Sequence, residues 1–159
     1  MPTSARPQRA VPWVLIAVAV LAAGVRLLAP EVVDRVEWVP LASAAELSRQ
    51  TGRPLMYDFT ADWCSPCRRL ERDLFANPRH AAWLSREFVP VRVVDRERED
   101  GLNSDGVERL KEQMEVDAFP TLVVARADGS VLGRHEGYAG DSRQLARVLS
   151  EALGRARQR

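Results

Sequence analysis

Residues 55–67 read LMYDFTADWCSPC, and this stretch holds both a strong strand pattern and all the cysteines of the chain. Residues 55–61 form a short apolar run with one acid, Asp58, which is typical of a buried strand. Residues 64–75 are predicted to form a helix, so the Cys-Ser-Pro-Cys segment lies where a strand ends and a helix begins. The free N–H groups and positive dipole end of a helix N-terminus favour a thiolate. The position of this segment therefore indicates reactive cysteines.

Only two cysteines occur among the 159 residues, Cys64 and Cys67. They are too few for a scaffold of several disulfides or for a four-cysteine zinc site within one chain. His80 and His135 are isolated and lack the spacing of zinc ligands, so no metal site is predicted. A merely structural disulfide would close a very short loop and stabilise the fold little. The pattern favours a redox pair, in which Cys64 is the exposed attacking residue and Cys67, about one helical turn later, the more buried resolving residue.

The first 30 residues differ in charge from the rest of the chain. They contain three arginines and no acid, whereas the whole chain has 23 basic and 22 acidic residues. Such a balance gives no basic excess that would indicate nucleic-acid binding. Residues 10–29 are mostly apolar and would span roughly 30 Å as a helix, about the thickness of the hydrocarbon core of a bilayer.

Three interpretations of residues 10–29 are open: an uncleaved signal anchor, a cleaved signal peptide and a buried core helix. Cleavage needs small residues, which Ala22 and Gly24 could supply. A core helix should carry a polar stripe, which this segment lacks, so a single-pass anchor is the favoured prediction. Arg6 and Arg9 precede the segment and should stay in the cytoplasm. The rest of the chain would then lie on the extracytoplasmic side of a bacterial inner membrane, in the periplasm, where disulfides persist.

The remaining sequence alternates between helix and strand patterns. Ser43 and Glu46 have the spacing of a capping box and predict a helix over residues 43–51. Asp128-Gly129, between two apolar runs, is a strong hairpin signal. Further predictions are helices at 78–87, 106–114 and 141–157, strands at 88–94, 121–127 and 131–136, and an exposed loop at 96–105. With residues 31–40 as a tether or an added strand, the order β-α-(α)-β-α-β-β-α predicts an α/β domain with a mixed sheet and helices on both faces.

Three stretches resemble the thioredoxin superfamily: YDFTADWCSPC at residues 57–67, Phe119-Pro120-Thr121, and Asp128-Gly129. The closer likeness is to the C-terminal periplasmic domain of the membrane thiol:disulfide interchange proteins (the DsbD type). That family has a similar D-x-x-A-D-W-C-x-x-C run, an acid four residues after the second cysteine, and a G-x-P-T sequence. This chain departs from it at Ala118, where glycine is common, and lacks its multi-helix membrane module. It looks like the soluble domain carried on a single anchor.

The resemblance implies a thioredoxin fold and two acids that serve the cysteines. Asp58 would be buried beneath the pair, and burial would raise its pKa and let it take a proton from Cys67. The alternative is an ordinary hydrogen-bonded or solvated acid at a strand edge. Glu71 would tune the pKa of a thiol, with a solvated charge on a helix as its alternative.

The resemblance also implies a substrate-binding rim formed by Trp63, Phe119, Pro120 and Thr121. Pro120 would follow a cis peptide bond and face the cysteines, whereas the alternative is an ordinary proline at the start of a strand. The backbone before it would be free to pair with an extended substrate segment. Trp63 would combine core packing with a place beside the active site.

These expectations combine into one functional hypothesis and one alternative. The chain is expected to be a membrane-anchored extracytoplasmic thiol–disulfide oxidoreductase with residues 1–30 as anchor, 31–40 as tether and 41–159 as the thioredoxin-like domain. Ser-Pro between the cysteines resembles the Gly-Pro of reductants more than the Pro-His of the oxidant, which favours a reductant. Its partners would be protein thiols and disulfides and an upstream membrane electron donor. No flavin or nicotinamide motif is present, and the only redox group expected is the Cys64–Cys67 pair itself. The alternative is a thioredoxin-fold binding or redox-sensing module of a membrane assembly.

Overall fold

The computed structural model describes residues 18, 20, 21 and 32–158. The predicted anchor at residues 10–29 lies outside the described residues, apart from the helical positions 18, 20 and 21. In the part of the chain that the structure describes, no helix combines the length and the apolar character needed to cross a membrane. The chain divides into the units Met1–Glu31 and Val32–Arg159, and the second contains all the elements named below.

A four-stranded sheet forms the centre of the second unit, in the order β2-β1-β3-β4. Strands β1 and β2 pair in parallel, whereas β3 pairs antiparallel with both β1 and β4. The sheet is therefore mixed, as predicted. The strands are β1 Leu55–Ala61, β2 Val89–Asp95, β3 Thr121–Ala125 and β4 Val131–Glu136. The helices are α1 Leu41–Thr51, α2 Ser65–Leu70, α3 Pro78–Glu87, α4 Glu97–Asp100, α5 Asp105–Gln113 and α6 Ser142–Arg157, and one π-helical turn, Glu71–Phe75, continues α2.

The two faces of β1 pack against different helices, because neighbouring residues of a strand point to opposite sides. Leu55, Tyr57 and Phe59 belong to a buried cluster that includes residues of β2, α1 and α5. Met56 belongs to a second buried cluster, which includes residues of α3 and α6. The prediction of helices on both faces is thus confirmed. Asp58 follows the alternation of Met56 and lies on the face of the second cluster.

Several elements have the bounds that the sequence predicts. β1, α3 and β4 match in full, and the cap of α3 forms as expected: Oδ1 of Asn77 accepts the N–H of Arg79 at 3.0 Å, with Pro78 at the first helical position. The other predicted helices and strands are present with ends displaced by one or two residues, which is the ordinary uncertainty of element ends.

The predicted capping box of the first helix is wrong. α1 begins at Leu41, the hydroxyl of Ser43 donates to the carbonyl of Pro40 at 3.1 Å, and Glu46 binds Arg49 at 2.7 Å. Leu41 packs against one of the buried clusters, so tertiary packing starts the helix two residues before the local capping signal.

The highly charged stretch 96–105 was predicted as a loop, but it contains the short helix α4. Nε of Arg96 donates to Oδ2 of Asp100 at 3.1 Å, and Gly101 ends the helix with φ of 79°. A pair of opposite charges four residues apart stabilises a helical turn without any apolar periodicity, so the pattern of hydrophobic residues did not reveal it.

Residues 32–40 have no regular secondary structure, so the added strand that the sequence allowed is not present there. The segment is nevertheless held against the domain by its backbone. The N–H of Arg35 donates to the carbonyl of Phe75 at 3.0 Å, and the N–H of Val39 donates to the carbonyl of Pro90 at 2.8 Å. These bonds fix the side chains of the segment next to β2 and the π-helical turn.

Candidate active site

The two cysteines lie at the N-terminus of α2 and form a disulfide with an S–S distance of 2.06 Å. Cys64 is the N-cap residue, and its Sγ accepts the N–H of Cys67 at 3.2 Å. Pro66 lies in the first turn, where its missing N–H leaves no intrahelical bond unmade. The helix N-terminus thus presents an N–H donor and its positive dipole end to Sγ of Cys64, and these favour a thiolate when the disulfide is reduced.

The prediction that Cys64 is exposed is wrong for this disulfide-bonded form. The exposed fraction is 2% for Cys64 and 6% for Cys67, so neither sulfur lies open to solvent. Both cysteines form a small apolar cluster with Ala61 and the partly buried Phe119. Phe119 precedes β3, more than fifty residues away in sequence, so no local pattern around the cysteines could reveal this cover.

An aromatic pair forms the rim beside the disulfide. Trp63 is 44% exposed and meets the Phe119 ring edge-on, with 6.0 Å between the ring centroids. The peptide bond between Phe119 and Pro120 is cis, as the resemblance implied. Thr121 is fully buried, and its hydroxyl donates to the carbonyl of Ala118 at 2.8 Å, so this side chain shapes the turn before β3. Of the four predicted rim residues, Phe119 thus packs against the cysteines and Trp63 packs against Phe119, while Pro120 and Thr121 belong to the cis-proline turn that follows Phe119.

An open groove of about 930 Å³ borders Trp63 and Phe119 and is predominantly acidic. Nζ of Lys111 lies 2.5 Å from Oδ2 of Asp95, 3.3 Å from Glu108 and 4.0 Å from Glu97, so an ammonium group neutralises part of this charge. The sequence predicted the aromatic rim but not this groove. Its other lining residues include Glu112, Glu115 and Asp117.

Asp58 is buried beneath the disulfide, as the resemblance implied, with 2% of its surface exposed. Burial raises its pKa from 3.8 to about 6, although Nε of Arg92 donates to its Oδ2 at 3.1 Å and so opposes the shift. Its Oδ1 has no hydrogen-bond partner among the described residues. A carboxyl group in this state gains and loses its proton close to neutral pH, as a proton-transfer group requires.

A cavity of about 260 Å³ connects this acid to the redox pair. Asp58, Cys67, Glu71 and Arg92 all line it, so it reaches from the buried carboxyl group to the second cysteine. The space is large enough for water molecules, and the polar groups around it could hold them. The carboxyl group of Asp58 and the side chain of Cys67 therefore border the same polar space.

Glu71 contacts the site through Arg92, since its Oε1 lies 3.8 Å from Nη1 of that arginine. The structure thus brings Asp58, Glu71 and Cys67 to one cavity. It also adds two residues that the sequence analysis missed: Arg92, which lines the cavity, and Asp34, whose Oδ2 lies 2.6 Å from Nη1 of Arg92. Arg92 pairs opposite Asp58 in the parallel register of β1 and β2. The signal that could have revealed it is an arginine in the middle of the apolar run FVPVRVV.

A family model described as a thioredoxin-like domain matches residues 41–153. The chain belongs to the thioredoxin-like family. The match begins with α1 and ends within α6, so it includes the whole sheet, both cysteines and the cis-proline turn.

Relatives of this thioredoxin-like protein include named disulfide enzymes. It is 28% identical over 108 residues to the disulfide bond reductase DsbH of Chlamydia pneumoniae, covering 66% of this chain and 65% of that protein. It is 30% identical over 105 residues to the thiol:disulfide interchange protein DsbD of Tatumella citrea, covering 65% of this chain and 17% of that protein. The chain thus spans just under two thirds of the first relative and a small part of the second.

The fold of the thioredoxin-like protein is also found among solved structures. A DsbH oxidoreductase superposes with a TM-score of 0.66 at 20% identity, covering 96% of this chain and 95% of that one. A thioredoxin from Thermus thermophilus superposes with a TM-score of 0.58 at 21% identity, covering 73% of this chain and 86% of that one. At these identities the structures support the fold assignment alone.

Proposed function

We propose that this chain is a thiol–disulfide oxidoreductase that reduces disulfides of client proteins through Cys64 and Cys67. The observation that carries the proposal is the cavity that joins Cys67 to the buried Asp58 beneath a disulfide at a helix N-terminus. Such a pair can exchange two electrons with a client, and the acid beneath it can accept the proton that the second cysteine must lose. The relatives named disulfide bond reductase and thiol:disulfide interchange protein support the same reaction class.

The reaction begins with the pair reduced. The thiolate of Cys64 attacks one sulfur of the client disulfide, forming a mixed disulfide and releasing the other client sulfur as a thiolate, which takes up a proton. Asp58 then removes the proton of the Cys67 thiol through the cavity, and the resulting thiolate attacks Sγ of Cys64. The mixed disulfide breaks, the second client sulfur leaves as a thiolate, and the Cys64–Cys67 disulfide forms. Two electrons have passed to the client.

Two features support a reductant rather than an oxidant. The raised pKa of Asp58 suits the deprotonation of Cys67, which is the step that releases a reduced client. Ser65 and Pro66 stand between the cysteines, a pair that resembles the Gly-Pro of reductants more than the Pro-His of the oxidant. An upstream dithiol donor at the membrane would re-reduce the Cys64–Cys67 disulfide after each cycle.

The reduction potential of the Cys64–Cys67 couple tests the direction of the reaction. We expect a value close to that of thioredoxin, about −270 mV, when the protein is equilibrated with a thiol buffer of known potential. The fluorescence of the half-exposed Trp63, next to Cys64, would report the redox state, and a Cys64→Ser/Cys67→Ser variant would show the signal without the couple. A potential near that of the strong oxidant DsbA, about −120 mV, would overturn the proposal of a reductant.

We further propose that residues 10–29 anchor the chain in a bacterial inner membrane with the catalytic domain in the periplasm. The apolar length of this segment and the arginines before it support this arrangement. We expect the full-length protein to stay in the membrane fraction after alkaline carbonate extraction and to be digested by protease added to spheroplasts. A Val18→Arg/Leu21→Arg variant should lose membrane retention. Recovery of the unmodified chain in the soluble fraction would contradict the anchor.

A further inference from the structure

We propose that Asp34 is a positioning residue for the thiol chemistry, because it shares the guanidinium group of Arg92 with Asp58. Asp34 lies in residues 32–40, before the stretch 41–153 that the family model matches. The inference rests on the proposed function, because Asp58 matters only if it exchanges a proton with Cys67. The inference extends the proposed function: residues outside the matched domain would control proton transfer between Asp58 and Cys67.

The carboxylate of Asp34 is held in one place by two hydrogen bonds and one ion pair. Its Oδ1 accepts the N–H of Val36 at 2.9 Å, and its Oδ2 accepts the indole N–H of Trp38 at 2.8 Å. The same Oδ2 lies 2.6 Å from Nη1 of Arg92, and the Asp34 side chain is 19% exposed. A short, largely buried contact of this kind fixes the orientation of the Arg92 guanidinium group relative to Asp34.

Arg92 is held by aromatic rings as well as by acids. Its guanidinium carbon lies 4.2 Å from the centre of the Trp38 ring and 5.2 Å from that of Phe75. These contacts keep the guanidinium group between Asp34 and Asp58 even if one carboxylate loses its charge. Its Nε donates to Asp58 at 3.1 Å, a longer contact than the one from Nη1 to Asp34.

The guanidinium group of Arg92 therefore faces several negative groups around Asp58. Asp34 approaches from residues 32–40 and Glu71 from the π-helical turn, and Arg92 is the cation on β2 that they share with Asp58. The other charged groups that line the cavity are Asp62, after β1, and Arg68, on α2. Burial is the largest cause of the raised pKa of Asp58, and the negative charge of Asp34 raises it further. Removing the charge of Asp34 leaves Arg92 to stabilise the Asp58 carboxylate, so the pKa of Asp58 should fall.

The test is an Asp34→Asn variant of the full chain, in which the carboxyl carbon signal of Asp58 is followed by NMR as a function of pH. The amide oxygen can still accept hydrogen bonds, so the main change is the loss of one negative charge. We expect the pKa of Asp58 to lie below its value in the unmodified protein, in both the oxidised and the reduced form. The acid limb of the turnover profile should move to lower pH by the same amount.

Glu37→Gln is the matched control, because it removes the same charge from an exposed position in the same segment. It should leave the titration of Asp58 unchanged. Asp34→Glu, which keeps the charge, should bring the pKa of Asp58 back towards its original value. If Asp34→Asn does not fold, Asp34→Ser provides the same test, since serine can accept the N–H of Val36 without a charge.

An unchanged or raised pKa of Asp58 in Asp34→Asn or Asp34→Ser would overturn the inference. An equal downward shift in Glu37→Gln would also overturn it, because the effect would then come from net charge alone. The titration reads Asp58 itself, so it separates this inference from the proposed function. If the protein reduced no client but Asp34→Asn still lowered the pKa of Asp58, the proposed function would be refuted while the effect of Asp34 on Asp58 through Arg92 would stand.

Discussion

A Cys67→Ser variant should accumulate client proteins joined to Cys64 by mixed disulfides, and its multiple turnover should fall to the background rate. Cys64 caps α2 and receives the N–H of residue 67 in the disulfide-bonded form, so its environment at the helix N-terminus does not depend on a second sulfur. The first exchange can therefore still occur. The second cannot, because the hydroxyl group of serine does not displace a sulfur from a disulfide.

The trapped species would be seen as bands that disappear on reduction in gel electrophoresis of cells expressing the variant. Cys64→Ser is the matched control, because it removes the attacking sulfur and should trap nothing. If Cys67→Ser trapped no client while the unmodified protein kept its disulfide, the reductase hypothesis would fail. The alternative of a thioredoxin-fold binding or redox-sensing module would then be favoured.

An Asp58→Asn variant should lose a large part of the pH dependence of stability and should resolve mixed disulfides slowly. The pKa of Asp58 is raised from 3.8 to about 6 in the folded chain, mainly by burial. The folded state therefore holds this proton more tightly than the unfolded state does. The stability contributed by the protonated acid is fully present below the unfolded pKa and is lost as the pH rises through about 6.

The size of this effect follows from the shift of about two pKa units, each of which corresponds to about 1.4 kcal/mol. The free energy of unfolding of the unmodified protein should thus fall by about 3 kcal/mol between roughly pH 3 and pH 7 relative to Asp58→Asn. Urea unfolding at a series of pH values measures this difference, with the exposed Asp117→Asn as control. Parallel stability curves for Asp58→Asn and the unmodified protein would contradict the raised pKa.

The kinetic part of this prediction concerns the second exchange. Loss of a general base typically slows a reaction by a factor of about a hundred or more. We expect such a decrease in the rate at which Cys67 resolves a preformed mixed disulfide in Asp58→Asn at neutral pH. Stopped-flow measurement of client release checks it, and attack by Cys64 should change much less because Asp58 lies beneath Cys67 in the cavity.

The parts of the fold that local patterns control were predictable from the sequence. The apolar run of β1 and the Asn77-Pro78 start of α3 are local signals, and the structure has both elements at the predicted residues. The cysteines at the strand–helix junction follow from the same pattern. Burial of Asp58 was implied by the resemblance to the thioredoxin superfamily, whereas the strand pattern alone also allowed a solvated acid at a strand edge.

The remaining features depend on contacts between distant segments. Phe119 covers Cys64 and reverses the predicted exposure, and packing of Leu41 overrides the capping box at Ser43. Arg92 reaches Asp58 through the register of two parallel strands, and Asp34 reaches Arg92 from a segment with no regular secondary structure. None of these pairings leaves a periodic signal in the sequence.

The burial of both sulfurs has a consequence for selectivity. An attacking thiol must approach a disulfide sulfur closely, and exposed fractions of 2% and 6% leave little room for a chance collision. We therefore expect small dissolved thiols to react with the oxidised pair more slowly than with an open disulfide, while still reaching equilibrium with it. We expect a partner protein that docks on Trp63 and Phe119 to bring its own sulfur within reach of the buried pair, so that recognition precedes electron transfer. Burial of the oxidised pair would then restrict electron transfer to partners whose surface fits the rim formed by these two side chains.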